Sequence, residues 1–90
     1  MKSFTVVWLQ TAVDQLAQIW LDGTDRDLVV DAVEAIDSLL SNDPSAVQTT
    51  DLAEGLRALT VVPLRVIYAV READCIVEVA TVRRVVVSLP

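Results

Sequence analysis

Histidine is absent from the 90 residues, and cysteine occurs once, at Cys75. Without histidine the chain lacks the commonest general base near neutral pH and the commonest metal ligand. A single cysteine cannot close an internal disulfide, so a reducing, cytoplasmic setting is the simplest expectation. Two glycines and three prolines leave no long flexible linker, and no internal repeat or low-complexity tract is visible. No apolar run approaches the ~20 residues that a membrane-spanning helix needs. No apolar signal core follows Met1-Lys-Ser-Phe4. Lys2 is the lone lysine, so every other cation is an arginine.

What is present is a chain that is 53% hydrophobic, above the globular average of about 45–50%. That content argues against disorder and, at this length, for one domain over residues 1–90 with one core. The net charge of −6 is unevenly spread: residues 1–50 hold Lys2 and Arg26 against eight carboxylates, and residues 51–90 hold five arginines against five carboxylates. The acidic first half repels nucleic acid. Any anion site therefore belongs to the arginine-bearing second half.

The most informative run is Pro63-Leu-Arg-Val-Ile-Tyr-Ala-Val-Arg-Glu72. Val66, Ile67, Tyr68 and Val70 favour a strand. The period of two puts Leu64, Val66, Tyr68 and Val70 on one face and Arg65, Ile67, Ala69 and Arg71 on the other. The first set is a core face. The second carries two arginines and is not.

Around this run, Ser3–Trp8 reads as a short strand. Thr11 opens a helix with Asp14 completing a capping box, and Ala12, Leu16, Ile19 and Trp20 form its apolar stripe. Gly23 stands where a helix end favours a left-handed residue. Thr24, with Asp27 at the third position, starts a second helix. Leu28, Val29, Ala32, Val33, Ile36, Leu39 and Leu40 face inward, and Asp43-Pro44 ends it. Ser45–Thr50 reads as loop, Asp51–Gly55 as a single turn, Leu56–Val62 as a strand, and Cys75 to about Val86 as the last strand. The expected architecture is α+β, ordered β-α-α-β-β-β, with the helical hairpin packed on one face of a small, mainly antiparallel sheet. Leu16, Ile19, Ile36, Leu39, Val66 and Tyr68 are the expected core.

In the last strand Cys75, Val77 and Val79 alternate with Ile76, Glu78, Ala80, Val82 and Arg84. Strict alternation gathers Arg65, Arg71, Glu78 and Arg84 on one face, with Arg57 joining from the neighbouring strand. A one-residue slip exchanges the faces.

The runs Leu56-Arg57-Ala58-Leu59, Pro63–Val70 and Val77-Glu-Val-Ala-Thr-Val-Arg-Arg84, together with a strand ending at Trp8, Leu16-Ala-Gln-Ile-Trp20 and a long helix ending in Asp43-Pro44, resemble the RelE/ParE superfamily of bacterial type II toxins. The resemblance spans roughly Phe4 to Arg84. It implies the compact toxin fold and a cognate antitoxin that wraps the chain and adds helix or strand to it. RelE-like members cleave mRNA in the ribosome with basic residues that hold the phosphate and stabilise the charged transition state. By that resemblance Arg57, Arg65 and Arg84 are the catalytic set, with Arg83 the other candidate for the last position. ParE-like members inhibit DNA gyrase without nuclease residues, and a catalytically silent relative binds only its antitoxin. All three readings stay open. The C-terminal tyrosine and lysine-rich surface of RelE-like members are missing here, so any endoribonuclease activity is expected to be weak. Neither cofactor nor metal is implied, and no membrane association. A valine-rich sheet with an uncovered face or edge also raises the expectation of a homodimer.

The plainer roles are equally concrete. Arg65 can pair with Glu78 or Glu72. Arg83-Arg84 can be a solvated strand end. Trp8, Trp20 and Tyr68 fit packing rather than base stacking, and Cys75 fits inert filling.

Overall fold

The computed structural model describes residues 3–45 and 49–85. Strand β1 (Thr5–Trp8) is followed by helices α1 (Gln10–Asp22) and α2 (Arg26–Asn42). Then come a two-residue strand β2 (Thr50–Asp51), a short 3-10 turn (Ala53–Gly55), and strands β3 (Leu56–Val61), β4 (Leu64–Arg71) and β5 (Ile76–Arg84). The sheet order is β1-β5-β4-β3-β2. β1 runs parallel to β5, and every other pairing is antiparallel. The β-α-α-β-β-β order holds, with β2 added where loop was expected at Thr50. The expected strand reach to Val86 lies outside the described residues.

Both helices lie on one sheet face, α1 along β5 and α2 over β1, β3 and β4. Val29, Ala32, Ile36 and Leu40 of α2 recur at helical spacing and are buried. They meet Leu59, Leu64, Val66, Tyr68, Val77, Val79 and Val82 from the sheet. Ile36, Val66 and Tyr68 are fully buried as expected, while Leu16, Ile19 and Leu39 pack against this core from its rim. Leu28 departs from the expected stripe and is 59% exposed. The Tyr68 hydroxyl donates to the Pro44 carbonyl at 2.6 Å, so the one polar atom of this buried ring is satisfied.

The helix ends depart from their expected caps. α1 begins at Gln10 with Leu9 as its cap residue, and Thr11 makes no capping bond. Thr24 does not cap α2 either; Asp25 is the cap residue, and no side-chain capping bond forms there. Gly23 has φ −101°, not a left-handed value. The common cause at the α1–α2 turn is Arg84. Its guanidinium donates to both carboxylate oxygens of Asp25, at 2.7 and 3.0 Å, and to the Ile19 carbonyl at 3.4 Å. A charge-assisted fork outcompetes a neutral N–H cap for the same carboxylate. A Cβ on Gly23 would sit 2.5 Å from Arg84 Nη2 and 2.7 Å from Asp25 Oδ1. Gly23 is therefore small because the fork occupies its side-chain space.

Cys75 belongs to the β4–β5 turn rather than to the strand, with a left-handed backbone at φ 53°.

Candidate functional site

The arginines sort onto two faces, and a β-bulge decides which goes where. Tyr68 pairs with Val79 and Val70 with Val77, so Val77 and Val79 face the helices. The register shifts between Ile67 and Tyr68: Ile67 pairs with Thr81 and Val66 with Val82. Ala80 is the extra residue, and beyond it the parity of β5 is reversed. Val82 and Arg84 turn to the helix side, and Arg83 turns to the open face. The bulge lies just past the end of β1. There the Val82 amide donates to Gln15 Oε1 of α1 at 2.8 Å, which satisfies a strand donor that β1 does not reach.

Arg84 is thus not beside Arg65, contrary to the expectation from strict alternation. It is opposite Leu64 on the helix side and bound to Asp25. The bond from Arg84 holds the Asp25 carboxyl below its ordinary value, partly offset by burial. The same bond raises the Arg84 guanidinium. Arg57 is on the helix side as well, opposite Tyr68. It donates to Thr49 Oγ1 through Nη2 at 2.6 Å and lies 3.6 Å from Asp51. Of the expected set Arg57, Arg65 and Arg84, only Arg65 is on the open face.

Arg65 is directly opposite Arg83. Among the described residues neither side chain has a hydrogen bond or an ion pair, and Glu78 is instead 2.8 Å from Arg71. Opposed residues on paired antiparallel strands have Cα atoms about 4.5–5.5 Å apart. Like charges so placed destabilise a sheet. Two planar forks at that spacing can converge on one phosphate or carboxylate. The open-face placement of Arg83 is legible in one signal: the helix-side valines fall at Val77, Val79 and then Val82, a spacing of two followed by three.

Among the described residues the open face offers no histidine, tyrosine or carboxylate beside this pair. Glu78 is opposite Ala69, four residues along β4 from Arg65, or roughly 13 Å at the usual strand rise. Tyr68 points the other way and is bonded to Pro44.

No family model and no curated protein matches the sequence. Solved structures do match its shape. A chain of the RelBE2 toxin–antitoxin complex from Mycobacterium tuberculosis superposes with a TM-score of 0.77 at 20% identity, covering 93% of each chain. The chain has the RelE/ParE toxin fold. The isolated E. coli RelE toxin matches with a TM-score of 0.71 at 12% identity, over 96% of this chain and 88% of that one. The chromosomal ParDE system of P. aeruginosa gives 0.67 at 16%, over 93% and 98%. The RelE/ParE fold thus accounts for the element order and the one-sided helix layer. Among the described residues no helix is long and apolar enough to cross a membrane.

Proposed function

We propose that this chain is the toxin component of a toxin–antitoxin pair, acting in the cytoplasm and held inactive by a cognate antitoxin. It engages its target through Arg65 and Arg83 on the open sheet face. The toxin role is supported by the match of fold along nearly the whole of both chains. The observation that carries the target contact is the opposed arginine pair, without a hydrogen bond or ion pair among the described residues, an arrangement that costs stability unless an anion occupies it.

Its mode of action is binding rather than RNA cleavage. Cleavage through a 2′-hydroxyl needs one group to take a proton and another to give one. Arginine stays charged at every working pH and does neither. The nearest open-face carboxylate is far along the strand and already paired. The net charge of −6 also opposes approach to ribosomal RNA and suits a protein target such as DNA gyrase. Ribosome-dependent cleavage remains the second reading, favoured by the fit of two guanidinium forks to one phosphate. In our reading Arg57 and Arg84 are structural.

Induced expression of the wild type, Arg65→Ala and Arg83→Ala tests this. The expected result is growth arrest with intact mRNA and inhibition in a gyrase supercoiling assay, both relieved by either substitution. Fragmented mRNA would establish the nuclease reading. Growth unaffected by the wild type would remove the toxin role.

A further inference from the structure

We infer that Val82 is a positioning residue for Arg83. By burying itself on the helix side it forces the extra residue into β5, and so turns Arg83 rather than Arg84 to the open face. The choice of register stands on the sheet alone; its consequence for a target rests on the reading above.

Two registers are open to the end of β5. In the observed one Thr81, Val82, Arg83 and Arg84 lie opposite Ile67, Val66, Arg65 and Leu64. Unbroken alternation from the Tyr68–Val79 pair would instead set Ala80, Thr81, Val82 and Arg83 opposite those four residues. Elimination finds what selects the first.

The Asp25 clasp does not choose, because residues 83 and 84 are both arginine. The fork that grips Asp25 and the Ile19 carbonyl comes from the residue opposite Leu64. In the alternating register Arg83 takes that place and meets the same carboxylate, with the same room over Gly23. The Gln15 bond does not choose either. Gln15 accepts from the backbone amide of the residue opposite Val66. Valine and threonine offer the same backbone donor. Both ties hold the strand end to α1 and to the α1–α2 turn in either register.

The difference left is a side chain. Opposite Val66, on the helix side, the observed register buries Val82, which is 2% exposed and part of the core. The alternating register puts Thr81 there. The two side chains have nearly the same shape, but threonine carries a hydroxyl where valine has a methyl group. Leu59, Leu64, Val66 and Val79, the nearest core residues in register, have side chains that offer a hydroxyl no partner. Burying it there without a bond is costly. The bulge at Ala80 is the backbone's response: it buries Val82 and leaves Thr81 half-buried on the open face.

Val82 thereby decides the geometry of the arginine pair. With the bulge, Arg65 and Arg83 are directly opposed, their Cα atoms about 4.5–5.5 Å apart. Without it, Val82 opposes Arg65, and the open-face arginine becomes Arg84, on the diagonal at roughly 7–8 Å. A methyl group on one residue and a hydroxyl on its neighbour separate an opposed pair of forks from a staggered one.

Exchanging the two residues, as Thr81→Val with Val82→Thr, tests this in a chain of unchanged composition. Two-dimensional NMR reads the register from cross-strand contacts of Val66: to position 82 in the wild type, and to position 81 in the exchanged chain. Thermal melts read it independently. In the wild type Arg84→Met should lower Tm by several degrees and Arg83→Met should not. In the exchanged chain that loss should pass from Arg84→Met to Arg83→Met. Val82→Ile, apolar and β-branched like the wild type, should keep the wild-type register. An exchanged chain that keeps the Val66 contact to position 82, or keeps its dependence on Arg84, overturns the proposal. Should the exchanged chain not fold, Thr81→Val alone replaces it. That variant leaves Val82 in place and removes the difference between the registers, so Val66 should contact both positions; contact to position 82 alone overturns the proposal. Growth arrest on expression is scored on the same chains. It should be lost in the exchanged chain as in Arg83→Ala, and kept in Val82→Ile. A register that moves while arrest stays intact keeps the role of Val82 and removes the target contact from the arginine pair. A wild type that never arrests growth removes the toxin reading and leaves the register result standing.

Discussion

The two faces of the sheet treat the same residue type in opposite ways. On the helix side, Arg84 and Arg57 reach carboxylates and a hydroxyl; Arg84 ties the distant α1–α2 turn to the sheet, and Arg57 ties β3 to the segment just before it. On the open face, Arg65 and Arg83 oppose each other with no partner among the described residues. A fold selected for stability alone has no use for the second arrangement, since like charges opposed across strands weaken the sheet. The difference separates arginines that build the molecule from arginines available to something outside it.

The comparison breaks most severely if the helix side is hollowed. Ile36 is fully buried against both sheet and helix residues. Ile36→Ala removes three carbons and leaves a cavity, and should cost about 2–5 kcal/mol in chemical denaturation. A loss below roughly 0.5 kcal/mol would mean that α2 does not cover this face. Next comes Tyr68→Phe. It keeps the ring but strips the partner from the buried Pro44 carbonyl, for about 1–3 kcal/mol. An unchanged stability would mean that water replaces the hydroxyl and that this end of the core is wet.

Much of this contrast can be read from residue periods, and the part that cannot has a specific cause. Val66, Ile67, Tyr68 and Val70 announce β4, and Val29, Ala32, Ile36 and Leu40 announce the inner face of α2, because each set repeats at its element's own period. The element order follows from those repeats. Helix ends are less legible, because capping depends on what else wants the side chain. Asp25 is claimed by Arg84, which is 59 residues away. Which face Arg83 and Arg84 take depends on the extra residue at Ala80, and only the uneven valine spacing betrays it. A one-residue error there exchanges the arginine bound to Asp25 for the one on the open face.

The Arg84 clasp gives an intermediate effect with a pH signature. Arg84→Met should lower Tm by several degrees at neutral pH. Asp25 has a folded pKa below its ordinary value of 3.8 because Arg84 donates to it. Its contribution is therefore fully present above that ordinary value and is lost as pH falls through the lower folded value. The Tm gap between wild type and Arg84→Met should hold steady from neutral pH down to about the ordinary value and close below it. A gap that closes well above that point would mean that another carboxylate carries the interaction. Gly23→Ala should act through the same clasp, because its methyl group collides with both partners. In an Arg84→Met background most of its cost should vanish, and two costs that simply add would separate Gly23 from the clasp.

The smallest effect sharpens the comparison most, because it should have the opposite sign. Arg65 and Arg83 share the open face in direct register. Arg83→Glu turns a repulsive cross-strand pair into an attractive one. Opposed charges of unlike sign contribute roughly 0.2–1 kcal/mol in a sheet, and removing the repulsion adds in the same direction. The variant should therefore melt slightly higher than the wild type at low salt, and the gain should shrink as salt screens both terms. On the helix side no arginine substitution should do this, since Arg84 and Arg57 already have their partners. Target inhibition should move the other way and be lost, because the acid both removes one fork and occupies the other. Stability that rises while inhibition falls separates function from folding in a single variant. A lower Tm for Arg83→Glu would mean that Arg83 has a structural partner and is not held free for a target. A higher Tm with inhibition intact would mean that the target meets some other part of the chain.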